Sequence, residues 1–499
     1  MSVTLKRLYV AWDGTNYIDE SAYLIDAQGD VRYVAPYSSL VGGAGITDQM
    51  TFTLDNASGR FSPLNTSGAL YASIGSGGMY MRPVRFDVSV NNGANYYRIF
   101  TGVLKLPGAQ SPTWQESSTV RLDARSRDEL LLNLRQSTTR DVFSAYVDAP
   151  PTEDTIFDVW ITEPGNGFVP DDLDLDTGFV RIPFAWMDDE SILEECWLLA
   201  AACGGRFFAN HEGAFRYENM AAWQTETRST TSQQTYTLSS FQRLEYRYDD
   251  TDLYNEITVE ASPRSVGGVD VVWESESAVT LQPGETKTIV AKYDAPSYSV
   301  TSLDVAARDV GGNDITSSIA VTPTYYAQRA SLAATNSSSL TARLTKLRIL
   351  GKPVVGAPDQ EATRNSTTHG ANAAYFTGRV KRERRMGGNP YVQTLPQAEM
   401  LAQRILDLSE YPRLQFTLYG CDGNPDRRLG DRITIDHTAV TGFMSSTVAC
   451  YVTGIRWGYN EMGFTQDLEA VQASSLFAYD NNYFIVGTHT ANGTRRLFY

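Results

Sequence analysis

The sequence predicts a mainly β protein with a few short helices. Two observations carry this. Apolar and polar residues alternate in short segments separated by Gly, Asn and Ser clusters, the period of strands with one wet face. Helix signals are confined to three places, near 126–133, 189–203 and 394–408. At 499 residues, 42% of them hydrophobic, the chain is long enough for several domains with real cores.

The first domain is organised around 51–65. Phe52 and Leu54 alternate with Thr51, Thr53 and Asp55 as in a strand, and Asn56 to Gly59 supplies turn residues. Gly59 stands where that turn needs positive φ, and Arg60-Phe61-Ser62-Pro63 leaves it with an aromatic and stops at proline. Strand-like segments surround it at 5–12, 22–25, 84–90, 97–104 and 118–124, with Asn91-Asn92-Gly93 as a hairpin tip. A strand ending in Leu-Asp-Asn-x-x-Gly-Arg-Phe-x-Pro-Leu resembles the N-terminal barrel of the tail hub proteins of tailed bacteriophages, also called baseplate hub or tail-tip proteins. Met81-Arg82-Pro83-Val84-Arg85-Phe86, followed by Arg98-Ile99-Phe100-Thr101-Gly102-Val103-Leu104, resembles two paired strands of the same barrel.

Ser126-Arg127-Asp128-Glu129 reads as a capping box opening a short helix. A longer helix follows at 189–203, striped by Ile192, Cys196, Leu199 and Cys203 and ended by Gly204-Gly205. Arg206-Phe207-Phe208, Gly213 and Ala214-Phe215-Arg216-Tyr217 then read as a hairpin against it. This helix-hairpin unit resembles the second domain of the hub family. Tyr254-Asn255-x-Ile257-x-Val259 resembles the first strand of the family's second barrel, and 262–375 looks like an insertion into it. Thr394-Leu395-Pro396-Gln397 is another capping box, and Ala398, Leu401, Ile405 and Leu408 stripe its helix. Leu429-Gly430-Asp431-Arg432-Ile433-Thr434-Ile435 resembles a strand entry common in hub and tube-like barrels. The domains expected are therefore a tube-like β-barrel at 1–125, an α+β hub domain at 126–235, a second tube-like barrel at 236–261 and 376–474, a β-sandwich-like module at 262–375, and a C-terminal docking arm at 475–499.

Composition narrows the function. With 58 acids against 42 bases, a formal charge of −16, the chain lacks the basic footprint of a general nucleic-acid binder. No apolar run is long enough to span a bilayer, and 1–12 lacks a signal peptide's apolar stretch, so a cytoplasmic protein without stable membrane insertion is expected. Cys196 and Cys203, roughly 10 Å apart on a helix, lie beyond disulfide reach.

No catalytic, cofactor or metal constellation is expected. His211, His369, His437 and His489 are scattered and read as surface histidines, and no nucleophile elbow is present. Asp172 to Gly178 fails the EF-hand pattern, since Thr177 and Pro183 stand where Gly and Glu belong, which leaves only a looser calcium site around Asp172, Asp174 and Asp176. The run 381–385 is basic and faces either solvent or a neighbouring subunit's acids.

The resemblance implies a structural hub in the virion tail tip, assembled in the host cytoplasm: a homotrimer whose six barrels join a six-fold tail tube or distal tail ring to a three-fold spike or central fibre. A tape measure protein is a further implied partner, and DNA passes through without specific binding. Asp55, Gly59, Arg60, Phe61, Pro63, Gly430 and Asp431 carry the structural motifs. The alternatives are a receptor- or carbohydrate-binding tail protein, recognising through the inserted module, and a tail-associated cell-wall hydrolase.

The arm carries Phe477, Tyr479, Tyr483, Phe484, Phe498 and Tyr499, with a hairpin signal at Asn492-Gly493. Burying several such side chains is worth roughly 1.5–3 kcal/mol each, enough to hold a partner. Deleting 475–499 is expected to leave the melting temperature nearly unchanged while abolishing assembly of the distal partner. Unfolding of the truncated chain would assign the arm to its own subunit's core.

Overall fold

The computed structural model describes residues 4–33, 43–44, 46–75, 78–105, 119–138, 143–146, 155–163, 165–249, 253–366, 382–410, 413–440, 444 and 446–473. The chain is mostly strand with few helices. The two expected barrels are not separate closed tubes: among the described residues, no circuit of strand pairings closes. One 13-stranded sheet instead runs through both regions. From one end its order is Arg243–Asp249, Arg413–Asp422, Gly463–Gln472, Val448–Asn460, Leu24–Tyr33, Ile46–Asp55, Thr119–Ser126, Tyr97–Leu104, Pro83–Ser89, Leu5–Val10 and Ile18–Asp19. Arg432–Ile435 branches off Val448–Asn460 and pairs in parallel with Gln234–Tyr236.

The seam is the antiparallel pairing of Leu24–Tyr33 with Val448–Asn460, in which Gly29 stands opposite Trp457. The indole crosses Gly29 so closely that a Cβ there would lie 2.3 Å from its Cζ2. Trp457 then stacks on Phe86, ring centroids 5.4 Å apart. Phe52, Leu122, Phe86 and Phe100 from one half share a single core with Ile433, Val452, Ile455 and Leu468 from the other. That common core explains why sequence reading saw two barrels and the chain built one sheet. The strand-to-strand alternation is local, whereas the seam joins segments more than 400 residues apart.

A second core is built around the helix Ile192–Ala202, whose Ile192, Cys196 and Leu199 are fully buried. Gly204, at φ 68°, ends it. The hairpin Arg206–Ala209 with Phe215–Glu218 packs against it through Phe207 and Phe215. The helix Leu395–Ser409 buries Ala398, Leu401, Ile405 and Leu408 in this core, not in the large sheet. Glu256–Ala261 corrects the expectation for the second barrel. It pairs with Gln360–Asn365 and Glu383–Met386 in a separate three-stranded sheet, and Ile257 and Val259 face the same helix core. The capping box at Ser126 is also not formed: Arg127 is the N-cap and Glu129 pairs with Arg125. At the later helix Thr394 does cap, accepting from Gln397 N at 3.3 Å.

Between 264 and 356 two sheets enclose a third core of Leu281, Leu332, Leu344, Leu347 and Ile349. One contains Ser297–Asp309 against Ala342–Gly356, and the other Thr286–Lys292, Arg329–Asn336 and Ile319–Tyr325. They meet the helix core through Trp186, which donates to Gln328 at 3.0 Å and lies under Arg264.

Gly29→Val is expected to destabilise the chain by about 1–3 kcal/mol, the cost of overpacking. Adding Trp457→Leu should return part of that loss in a denaturant titration. An unchanged midpoint for Gly29→Val would show that the seam is not tightly packed.

Candidate functional site

The first motif turn is fixed from both sides. Gly59 has φ 67°, and its N–H donates to Asn56 O at 2.8 Å. Asn56 Oδ1 accepts from Phe61 N, Asn65 Nδ2 donates to Gly59 O, and Asp55 Oδ1 accepts from Ala57 N. The turn drives fully buried Phe61 against Trp12 and Tyr23, at 5.8 and 5.4 Å. It also delivers Arg60 to Glu20, a carboxylate with no exposed surface, at 2.8 and 3.1 Å. Trp12 Nε1 donates to the same carboxylate at 2.9 Å. Glu20 and Trp12 carry no sequence signal of their own. Pro63 is half-buried beyond the turn.

The second motif turn repeats the device. Gly430 has φ 79°, and a Cβ there would lie 2.8 Å from Trp223 Nε1. Asp431, 1% exposed, accepts from Arg427 Nη1 at 2.9 Å, Arg228 Nε at 2.7 Å and Arg428 N at 2.9 Å. Arg228 comes from the helix-hairpin region, so this carboxylate ties that region to the sheet.

A cavity of about 380 Å³ opens at this junction. His211 reaches it from the hairpin, accepting at Nε2 from Arg428 Nε at 2.9 Å, while its carbonyl accepts from Thr101 Oγ1 at 2.8 Å. Arg98, paired with Asp87, donates to Thr101 from the first half of the sheet. His211 is therefore not the surface histidine expected. Burial, with Arg428, Arg228 and Arg98 around it, holds its pKa down to about 3, so it is neutral. Sequence reading missed it because Arg428, Arg98 and Thr101 come from segments more than 100 residues away.

Buried carboxyls cluster beside the same junction. Burial pushes Asp128 up to about 7, although Ala209 N–H donates to it at 2.6 Å. Burial likewise pushes Glu218 up to about 7 against the opposing pull of Arg206, and Tyr33 Oη donates to it at 3.3 Å. Burial raises Asp48 well above the carboxylate range.

The acidic loop at 172–178 is already neutralised. Arg127 holds Asp172 at 3.0 Å, and Arg216 holds Asp174 and Asp176 at 3.0 and 2.8 Å, so those oxygens face guanidinium groups rather than a cation site. Among the described residues, no group of three or more His, Cys, Asp or Glu is placed to hold a metal. No described helix is long and apolar enough to cross a membrane. In the basic run, Arg385 meets Glu361 of its own chain at 2.5 Å and Arg384 lies over Tyr254. All four cysteines are free and buried. His369, His489 and the arm residues Phe477, Tyr479, Tyr483, Phe484, Phe498 and Tyr499 lie outside the described residues.

No protein-family model and no curated protein matches the chain. Among solved structures it is similar to a tail protein from Neisseria meningitidis MC58, at 10% identity and a TM-score of 0.48, covering 95% of this chain and 99% of that one. It is also similar to the 43 kDa tail protein of prophage MuSo2 from Shewanella oneidensis, at 11% identity and TM-score 0.45 over 94% and 99% of the two chains. A third is an E. coli component of the type VI secretion system, described as structurally similar to T4 bacteriophage tail proteins, at 10% identity and TM-score 0.35 over 91% and 74%. These solved neighbours are phage tail or tail-like proteins.

Arg60→Ala strands the buried Glu20 charge and is expected to cost about 3–5 kcal/mol. Arg60→Ala with Glu20→Gln should cost clearly less, as a double-mutant cycle in urea would read. Additive losses would show that the pair is not coupled.

Asp128 and Glu218 bind protons more tightly folded than unfolded, so stability is expected to fall as pH rises from about 4 to about 7. Asp128→Asn keeps an acceptor for Ala209 N–H and should flatten that fall in pH-dependent melting. An unaltered profile would remove Asp128 from the account.

Proposed function

We propose that this chain is a structural hub of a phage tail tip, and that it acts by assembly rather than by catalysis. The observation that carries the reading is that one chain places two motif-bearing halves side by side on a continuous sheet. Each half carries a turn with a positive-φ glycine and a buried carboxylate clamped by arginine. The hub-like motifs at 51–65, 81–104 and 429–435 give those halves their functional meaning.

Three copies would present six such halves, matching a six-fold tail tube or distal tail ring above and a three-fold spike or central fibre below. The sheet's two ends differ, which favours head-to-tail contact between copies and ring closure. One end strand exposes Tyr246 and Tyr248, and the other end exposes Ile18 and Leu5. Contact with a tape measure protein and passage of DNA without specific binding belong to the same reading, as does a place in the virion tail tip after assembly in the host cytoplasm. The acidic balance of the chain suits a DNA path without adhesion. The arm at 475–499 would dock on a neighbouring subunit or the distal partner.

Light scattering on the purified protein, with its tail neighbours where needed, is expected to give three copies. A stable hexamer would overturn the two-halves-per-chain arithmetic.

A further inference from the structure

Resting on the hub role proposed above, we infer which face of the chain seats the tail tube or distal tail ring. It is one end of the large sheet's strands, an apolar rim edged by carboxylates.

Strand register places the rim. Val10 pairs with Val84, Pro83 with Val103, Leu104 with Ala124, Asp55 with Thr119, and Leu24 with Leu54. The connections 11–23 and 56–82 therefore emerge at one common end. Ala27 pairs with Tyr459, so the hairpin tip between Asn460 and Gly463 reaches that end from the second half. The opposite end is taken by the chain's own hairpin: Thr101 Oγ1 donates there to the carbonyl of His211, and Asp128 accepts from Ala209 N–H.

Exposed apolar side chains gather on this rim. Leu64 is 87% exposed and Met462 92%, and Ile25, Tyr71 and Tyr80 are exposed in the same set of strand ends and connections. Leu64 follows the first motif turn and Met462 stands at the hairpin tip, so both halves of the sheet contribute. Both are carried on hydrogen-bonded turns, through Asn65 Nδ2 to Gly59 O and Met462 N to Asn460 Oδ1. Fixed presentation lowers the ordering cost of docking. Exposed apolar residues with a polar border mark a protein–protein site.

Charge selects the partner. Asp13, Asp55 and Glu461 are exposed on the rim, and none of the three is in an ion pair among the described residues. The neighbouring cations are turned toward the chain: Arg60 to Glu20, Lys6 to the carbonyl of Leu24, and Arg82 to that of Gly78. A second copy seated face to face here would set carboxylate against carboxylate. A ring face of apolar residues bordered by Lys or Arg fits both features, and its charges would steer docking.

The test uses the full chain and isolated tail tubes, with their distal ring, from the same virus. A photo-crosslinking side chain at position 64 or 462 is expected to bond a tube or ring subunit. Leu64→Ser with Met462→Ser should keep the native melting temperature and copy number but weaken tube binding at least about tenfold. Added salt should weaken binding by the native chain. Val310→Ser, at a similarly exposed position on the inserted module, should leave binding unchanged. Cross-links to another copy or to a spike or fibre, or tube binding unaffected by the double change, would each overturn the assignment. Light scattering judges the hub role separately: a copy number other than three overturns that role, while the cross-links still decide the rim.

Discussion

The close approach of Trp457 to Gly29 is the contact on which the rest of the structure depends. A strand pairing alone would join the two halves of the sheet through backbone hydrogen bonds, which contribute modestly once water is accounted for. The indole lying across a residue without a Cβ, and continuing onto Phe86, makes the pairing a shared core. Any side chain at position 29 would push the indole away and part Phe86 from the strands of the other half. The two halves therefore hold a fixed relation to each other.

Around that seam, the same device is used twice to hold irregular chain. Glu20 and Asp431 are both carboxylates removed from water, and each joins near and distant donors: Trp12 and the more distant Arg60 in one case, Arg427, a backbone N–H and the far more distant Arg228 in the other. A buried ion pair adds little net stability compared with an apolar replacement, but losing one partner is severe. In the first case the pair ties the turn to Glu20, and in the second it ties the helix-hairpin region to the sheet.

The junction between these regions is rich in ionisable groups whose behaviour follows from burial. His211 is neutral because burial, and then three guanidinium groups, oppose its charge. Asp48, Asp128 and Glu218 hold protons for the complementary reason, that an anion there would be poorly solvated. Its members come from the large sheet, the hairpin and the helix core together.

By itself the sequence determined the local elements: the strand alternation at 50–54, the positive-φ turns at Gly59 and Asn92-Gly93, the stripe Ile192-Cys196-Leu199, and the stop at Gly204. These depend on residues within a turn or two of each other, where side-chain period and glycine's freedom act directly. The motif residues Arg60 and Asp431 were legible as a pattern, but their partners Glu20, Trp12 and Arg228 were not. Only the tertiary structure decided that the expected barrels share one sheet, that Glu256–Ala261 pairs beside the helix Leu395–Ser409, and that His211 lies among arginines. Each of those outcomes brings together segments distant in sequence, and an alternating strand carries no mark of which distant strand will complete its hydrogen bonds. That choice falls to shape, such as the space over Gly29 that one indole fills.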